Sequence, residues 1–99
     1  MDRIYTIGEL TAALHPIFEE YGVHSAVLFG SYAKGCATGH SDVDLLVDSG
    51  LKGLKFFGLL ERLSSTLEVP VDLLDVRQIE KDSPIEREIR GSGVRIFEQ

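Results

Sequence analysis

SAVLFGSYAKGCATGHSDVDLLVD, residues 25–48, carries the two features that decide the reading of this chain. An apolar run ends in a glycine-serine turn, and a second run alternates aspartate with apolar residues. Ser25 to Phe29 is bounded by Gly22 and Gly30, the pattern of a short central strand buried on both faces. Ser31 to Lys34 has room for one helical turn before Gly35. Asp42 to Asp48 predicts a second strand. Strand side chains alternate in direction, so Asp42 and Asp44 share one face while Val43, Leu45 and Val47 share the other.

Two carboxylates two residues apart on a strand lie roughly 6.5 to 7 Å apart. That separation lets them converge on one hard cation, or hold two cations about 3.5 to 4 Å apart. Magnesium suits such oxygen ligands. Aspartate is a weak strand former and like charges repel, so the pattern costs stability unless a cation lies between the two groups. A solvated sheet edge would carry the same residues without any metal. Asp72 shifts the balance, because it interrupts Val71 and Leu73 as Asp44 interrupts Val43 and Leu45. On a neighbouring strand it becomes the third ligand, and the expectation is that Asp42, Asp44 and Asp72 converge. Asp75 is the competing candidate for that third ligand, but it shares the face of Val71 and Leu73, and its place at the strand end predicts a solvated role.

Gly30 and Ser31 stand at the end of the first strand, where unpaired backbone N–H groups at the start of a helical turn attract anions. Glycine permits close approach of a phosphate, and the serine hydroxyl adds a donor. Read alone, such a turn is equally a tight loop. Ser31 has no histidine or lysine base placed beside it by sequence, which argues against a covalent nucleophile.

Outward from this segment, Thr6 and Glu9 have capping-box spacing, and apolar residues from Ile7 to Tyr21 recur at helical intervals. A first helix over about 7–21 is predicted, with a kink or restart near His15 imposed by Pro16. Leu54, Phe57, Leu60, Leu63 and Leu67, flanked by Phe56 and Leu59, give a wide apolar stripe and a second long helix over about 53–67. Pro70 opens a third strand, Val71 to Val76. Ser83, Pro84 and Glu86 suit N-cap, N1 and N3 of a last helix closing at Gly91, and Val94 to Phe97 adds an edge strand.

The 99 residues and their 43% apolar content fit one domain spanning 1–99 with one core. No apolar run nears the roughly 20 residues that span a bilayer, and Met1 to Tyr5 lacks a signal-peptide layout, so a cytoplasmic protein is expected with no membrane partner. Cys36 is the sole cysteine and excludes an internal disulfide. Sixteen acidic against ten basic side chains, net −6, argue against long nucleic acid as a partner. The same charge would repel a free triphosphate, so a nucleotide site here needs cations. His15, His24 and His40 lack ligand spacing, which leaves zinc the weakest metal reading.

Together, VLFGSYAKG at 27–35, SDVDLLVD at 41–48 and Asp72 resemble the nucleotidyltransferase superfamily, and in a chain of this length its minimal nucleotidyltransferase branch. That branch is often paired with HEPN-domain proteins as antitoxin and toxin. The resemblance covers about Tyr21 to Val76. It implies a polymerase-beta-like α/β (α+β) fold, a small mixed sheet with helices mainly on one face. It implies that Asp42, Asp44 and Asp72 hold two magnesium ions, that Gly30 and Ser31 hold a nucleoside triphosphate, and that Asp72 assists the acceptor. Lys34 stands where such motifs carry a basic residue, although a surface lysine is as good a reading. The resemblance further implies transfer of AMP from ATP to a tyrosine of a HEPN-domain toxin, in a homo- or hetero-oligomer. A non-catalytic antitoxin and a small-molecule nucleotidyltransferase are the alternatives.

Overall fold

The computed structural model describes residues 4–99, so Met1 to Arg3 of the N-terminal reading lie outside the described residues. Helix α1, Ile7–Glu20, starts at Thr6, whose hydroxyl accepts from the Glu9 N–H at 3.0 Å while the Glu9 carboxylate accepts from the Thr6 N–H at 2.8 Å. Both orphan donors of the first turn are thereby satisfied. The helix runs through Pro16 without the expected restart. One backbone hydrogen bond is lost there, but Ile17 and Phe18 in the following turn are buried and hold it in place.

Strand β1, Ser25–Phe29, leads directly into the short helix α2, Gly30–Lys34, which Gly35 ends in a left-handed conformation. Strand β2 is Val43–Asp48, so Asp42 stands just outside it rather than opening it as expected. Helix α3, Leu54–Leu67, precedes β3, Val71–Asp75, and a 3₁₀ turn, Val76–Gln78. The third strand thus ends one residue earlier than predicted, because the Asp75 side chain caps the turn by accepting from Arg77 N–H. Helix α4, Pro84–Ser92, carries Ser83 as N-cap and Pro84 at its start, and β4, Val94–Glu98, closes the described chain.

The four strands form one mixed sheet in the order β3-β2-β1-β4. β1 runs antiparallel to β2 and β4, and β2 runs parallel to β3. Connecting two parallel neighbours requires a crossover, and α3 supplies it. Val43, Leu45 and Val47 point to the same side as Ala26 and Leu28, and all five are fully buried. Against that side pack α1, through Leu10, Leu14 and Phe18, and α3, through Leu59, Leu63 and Leu67. Each such leucine contributes roughly 1.5–3 kcal/mol by burial, so alternation in β2 fixes which face is the core.

The opposite side carries Phe29, Asp44 and Asp72 in one row and Val27, Leu46 and Leu74 in the next. Helix α4 covers the β1 part of it and also packs on α2. At Gly93 the approach is so close that an added Cβ would lie 2.9 Å from the Val27 side chain. The helices therefore sit mainly on one face. β1 is correspondingly half-buried at Ser25 and Val27, not enclosed on both sides as its apolar run suggested.

Candidate functional site

Asp44 is the centre of the candidate site. In the β2–β3 register it stands opposite Asp72, and in the β1–β2 register opposite Phe29. Parallel neighbours are about 4.7–4.9 Å apart, so two carboxylates project from adjacent strands onto the same face. Burial pushes the Asp44 carboxyl up, and the charges of Asp72, then Asp42, then Glu88 push it further, to about 6. Asp42 and Asp72 are exposed, and Asp44 is half-buried. Among the described residues, no ion pair neutralises any of the three aspartates.

Gly30 meets this row directly. Its φ of +72° is the left-handed region that L side chains avoid, and a Cβ there would overlap Asp44 Oδ2. The glycine thus lets the β1–α2 turn approach the carboxylate. Ser31 follows in the first turn of α2, half-buried, and no side chain caps the N-terminus of that helix. Gly30 and Asp44 are in contact range, and Asp44 and Asp72 are in register.

The sequence expectation of three converging ligands is not met in full. Among the described residues, no group of three or more His, Cys, Asp or Glu side chains lies close enough to hold a metal ion. The reason is local. Asp42 precedes the first paired residue of β2, so the strand pleat does not set its direction as it sets that of Asp44. Like charges on adjacent positions also spread apart. The electrostatic coupling of Asp44 to both neighbours shows that the three share one neighbourhood without a common point. Chemically the donor set fits a hard cation: carboxylate oxygens only, with an excess of negative charge that opposes ionisation of Asp44.

Lys34 ends α2 and pairs with Glu88 of α4 at 3.6 Å, both groups more than a third exposed. Glu88 is a residue that the sequence reading did not single out. Its signal was present, because α4 is amphipathic and Glu88 falls beside Ile85, Ile89 and Ser92 on the side turned toward the protein. An acid on that stripe faces other groups instead of solvent alone.

Asp75 corrects another expectation. It is 2% exposed, not solvated. Its Oδ2 accepts from Ser49 Oγ at 2.7 Å, and its Oδ1 accepts from Arg77 N–H at 3.1 Å and Arg77 Nε at 3.2 Å. It faces the core side at the far end of β3, away from Asp72. The third aspartate of the row is therefore Asp72 and not Asp75. His15 packs edge-on against Phe97 with ring centroids 5.1 Å apart, while Cys36 is exposed. Among the described residues, no helix is long and apolar enough to cross a membrane.

Known proteins are similar to this chain in sequence and fold. MJ0126 of Methanocaldococcus jannaschii, named for protein adenylyltransferase activity, is 41% identical over 63 residues, spanning 62% of this chain and 64% of that protein. Protein adenylyltransferase MntA of Thermococcus cleftensis is 43% identical over 67 residues, 66% of this chain and 68% of its own. The fold superposes with a TM-score of 0.72 on a chain from the structure of tri-AMPylated Shewanella oneidensis HEPN toxin in complex with MNT antitoxin. That similarity covers 95% of this chain and 74% of the other at 19% identity. The family described as "Polymerase beta, Nucleotidyltransferase" matches residues 13–99, and the chain belongs to that family.

Proposed function

We propose that this protein is a magnesium-dependent adenylyltransferase that moves AMP from ATP to a hydroxyl, a tyrosine of a HEPN-type toxin, and so acts as its antitoxin. The observation that carries the reading is the row of Asp44 and Asp72 in register on an open face, with Gly30 against Asp44. The adenylyltransferase names of the relatives and the AMPylated toxin in the Shewanella complex support the donor, the acceptor class and the partner.

Asp42, Asp44 and Asp72 would hold magnesium, which supplies charge neutralisation at the phosphates and at the attacking and leaving oxygens. Gly30 leaves space for the triphosphate beside Asp44, and Ser31 Oγ with the first N–H groups of α2 donates to its oxygens. The acceptor oxygen forms a bond to the α-phosphorus as the α–β phosphoanhydride bond breaks and pyrophosphate leaves. The acceptor proton passes to Asp72, the most exposed carboxylate of the register pair and so the nearest to an incoming hydroxyl. Lys34 reaches the triphosphate on release from Glu88.

On the open face of β3 Asp72 is exposed and Leu74 half-buried, which leaves room for the partner to complete the cleft. The decisive experiment incubates the protein with a HEPN-type partner, ATP and magnesium and reads the partner's mass. A gain of AMP by the wild type, lost in Asp42→Asn and Asp44→Asn, is expected. No adduct, or an undiminished one in both variants, overturns the proposal. The incomplete convergence of the carboxylates favours one competing reading, neutralisation by complex formation alone. In that case the partner is silenced equally well without ATP.

A further inference from the structure

A second site lies at the opposite end of the sheet. Between the C-terminal ends of β2 and β3 and the start of α3 is a cleft of about 410 Å³, walled by Leu51, Phe56, Gln78, Lys52 and Arg77. Asp72 and Asp75 are three residues apart on β3, which puts this cleft on the order of 10 Å from the carboxylate row and on the other side of the sheet.

The surface around the cleft is apolar where it should be wet. Four large hydrophobic residues are exposed among the described residues: Ile4, Leu54, Phe57 and Val76. Three of the four are chain neighbours of residues that line the cleft: Leu54 at 89% exposure follows Gly53, Phe57 at 52% follows Phe56, and Val76 at 41% stands between Asp75 and Arg77. The wide stripe read from the sequence of α3 explains why. Leu59, Leu63 and Leu67 fill the core, and Leu54 and Phe57 belong to the remainder of the stripe, which is exposed among the described residues. Unpartnered apolar surface concentrated in one place marks a binding surface.

The charge at this place is opposite to that of the whole molecule. Segment 49–57, SGLKGLKFF, contains two lysines and no acid, and Arg77 stands across from it. Asp75 is the one carboxylate in the wall, and its hydrogen bonds to Ser49 and Arg77 occupy it. Arg77 is fixed further by donation from Nη2 to Leu51 O at 2.5 Å, yet its side chain remains 47% exposed. The Arg77 guanidinium and the exposed Lys52 thus line the cleft beside Leu51 and Phe56, with exposed Lys55 in the first turn of α3, on a protein with net charge −6. A polynucleotide or anionic membrane would feel the repulsion of the whole chain, whereas a protein segment can pair with the local cations and bury its apolar side chains.

We propose that this cleft is a docking site for an acidic, amphipathic segment of a partner protein, with an aliphatic or aromatic side chain seated against Phe56 and carboxylates paired to Lys52, Lys55 and Arg77. The site is independent of the chemistry proposed above. It holds a partner at a distance from the carboxylate row.

The test is a selection from a random dodecapeptide library on the full chain, followed by fluorescence anisotropy with the best peptide. Expected is enrichment of peptides that combine Asp or Glu with Leu, Phe or Trp, and a loss of affinity of at least tenfold in Leu54→Ser/Phe57→Ser and in Lys52→Glu/Lys55→Glu. All four side chains are exposed, so both variants should keep the wild-type melting temperature, and Arg77 is left intact because it braces Asp75. Asp44→Asn should bind with unchanged affinity, which separates this proposal from the catalytic one. No enrichment, enrichment without acids, or equal binding by the apolar variant overturns it. So does co-sedimentation with phosphatidylglycerol vesicles, or concentration-dependent dimerisation, that disappears in Leu54→Ser/Phe57→Ser while peptide binding is absent.

Discussion

The two ends of the parallel β2–β3 pair use the same side chain in opposite ways. At the end bearing Asp72, aspartates face each other across the register and no ion pair among the described residues answers them, so burial and these charges raise the Asp44 carboxyl to about 6. At the other end Asp75 is more deeply buried, and burial alone would raise it too. Hydrogen bonds from Ser49 and from the backbone and side chain of Arg77 outweigh that push and hold its carboxyl below the ordinary value of 3.8. Burial depth therefore does not separate an aspartate held by its own chain from one left uncompensated. Satisfaction does: the group whose charge is uncompensated by its own chain is the one placed for something else.

Replacing both kinds of aspartate tests that distinction, and the largest effect is expected at the carboxylate row. Asp44→Asn should lower AMP transfer on the order of 10²–10³-fold or more, read from initial rates. The same change should stabilise the metal-free protein at neutral pH. The folded-state value lies above the unfolded one, so ionisation opposes folding, and stability declines as pH rises from about 4 to 6. With exposure and screening, removing the charge gains about 1 kcal/mol at pH 7, measured by urea unfolding, and nothing at pH 3. A loss of stability in Asp44→Asn would dissolve the comparison.

Asp75→Ala should behave in the reverse manner. It strands Ser49 Oγ and the Arg77 guanidinium, so about 2–3 kcal/mol of stability is lost, while the rate per folded molecule holds within about twofold. Because the folded-state value is depressed, this stabilisation is complete above pH 3.8 and disappears as pH falls through the folded value. Unfolding curves for the wild type and the variant should converge in acid.

The sequence made one end of this comparison legible and hid the other. Alternation in Val43, Leu45 and Val47 assigns Asp44 to the open face, and the parallel interruption at Asp72 assigns its partner, because strand period is a local property. Asp42 is misplaced by one residue of strand boundary, which cancels the pleat argument for its direction. Asp75 reads as a strand-end residue because its partners, Ser49 in a loop and Arg77 in a 3₁₀ turn, meet it only through tertiary structure. Glu88 needed the docking of α4 on α2 before its proximity to Asp44 and Lys34 could exist. Pattern fixes faces; the pairing of charges comes from packing between elements distant in the chain.

Gly30→Ala probes the close approach of the β1–α2 turn to Asp44. A left-handed backbone costs a non-glycine residue roughly 1–2 kcal/mol. The new Cβ would also displace the Asp44 carboxylate from its position. A shift of about 1 Å can reduce a rate 10²-fold, so AMP transfer should fall about 10- to 100-fold with a stability loss near 1–2 kcal/mol. Gly22→Ala is the control. Its φ is +67° but nothing lies within 4 Å of an added Cβ, so it should share the stability loss and leave the rate unchanged. Equal rates for the two variants would show that the approach to Asp44 has no part in catalysis.

The smallest effect is expected at Glu88, where the two ends differ in how a cation is held. Arg77 is locked by Asp75 and Leu51 O, whereas Lys34 shares one exposed pair with Glu88. Exposed pairs are worth about 0–1 kcal/mol, so Glu88→Gln barely changes stability. It frees Lys34 for the triphosphate, so KM for ATP should fall about two- to fivefold while kcat stays level. Lys34→Ala should raise KM by a similar factor, and the double variant should match Lys34→Ala alone. If Glu88→Gln still lowers KM in the Lys34→Ala background, Glu88 acts on Asp44 through its charge and not by holding the lysine.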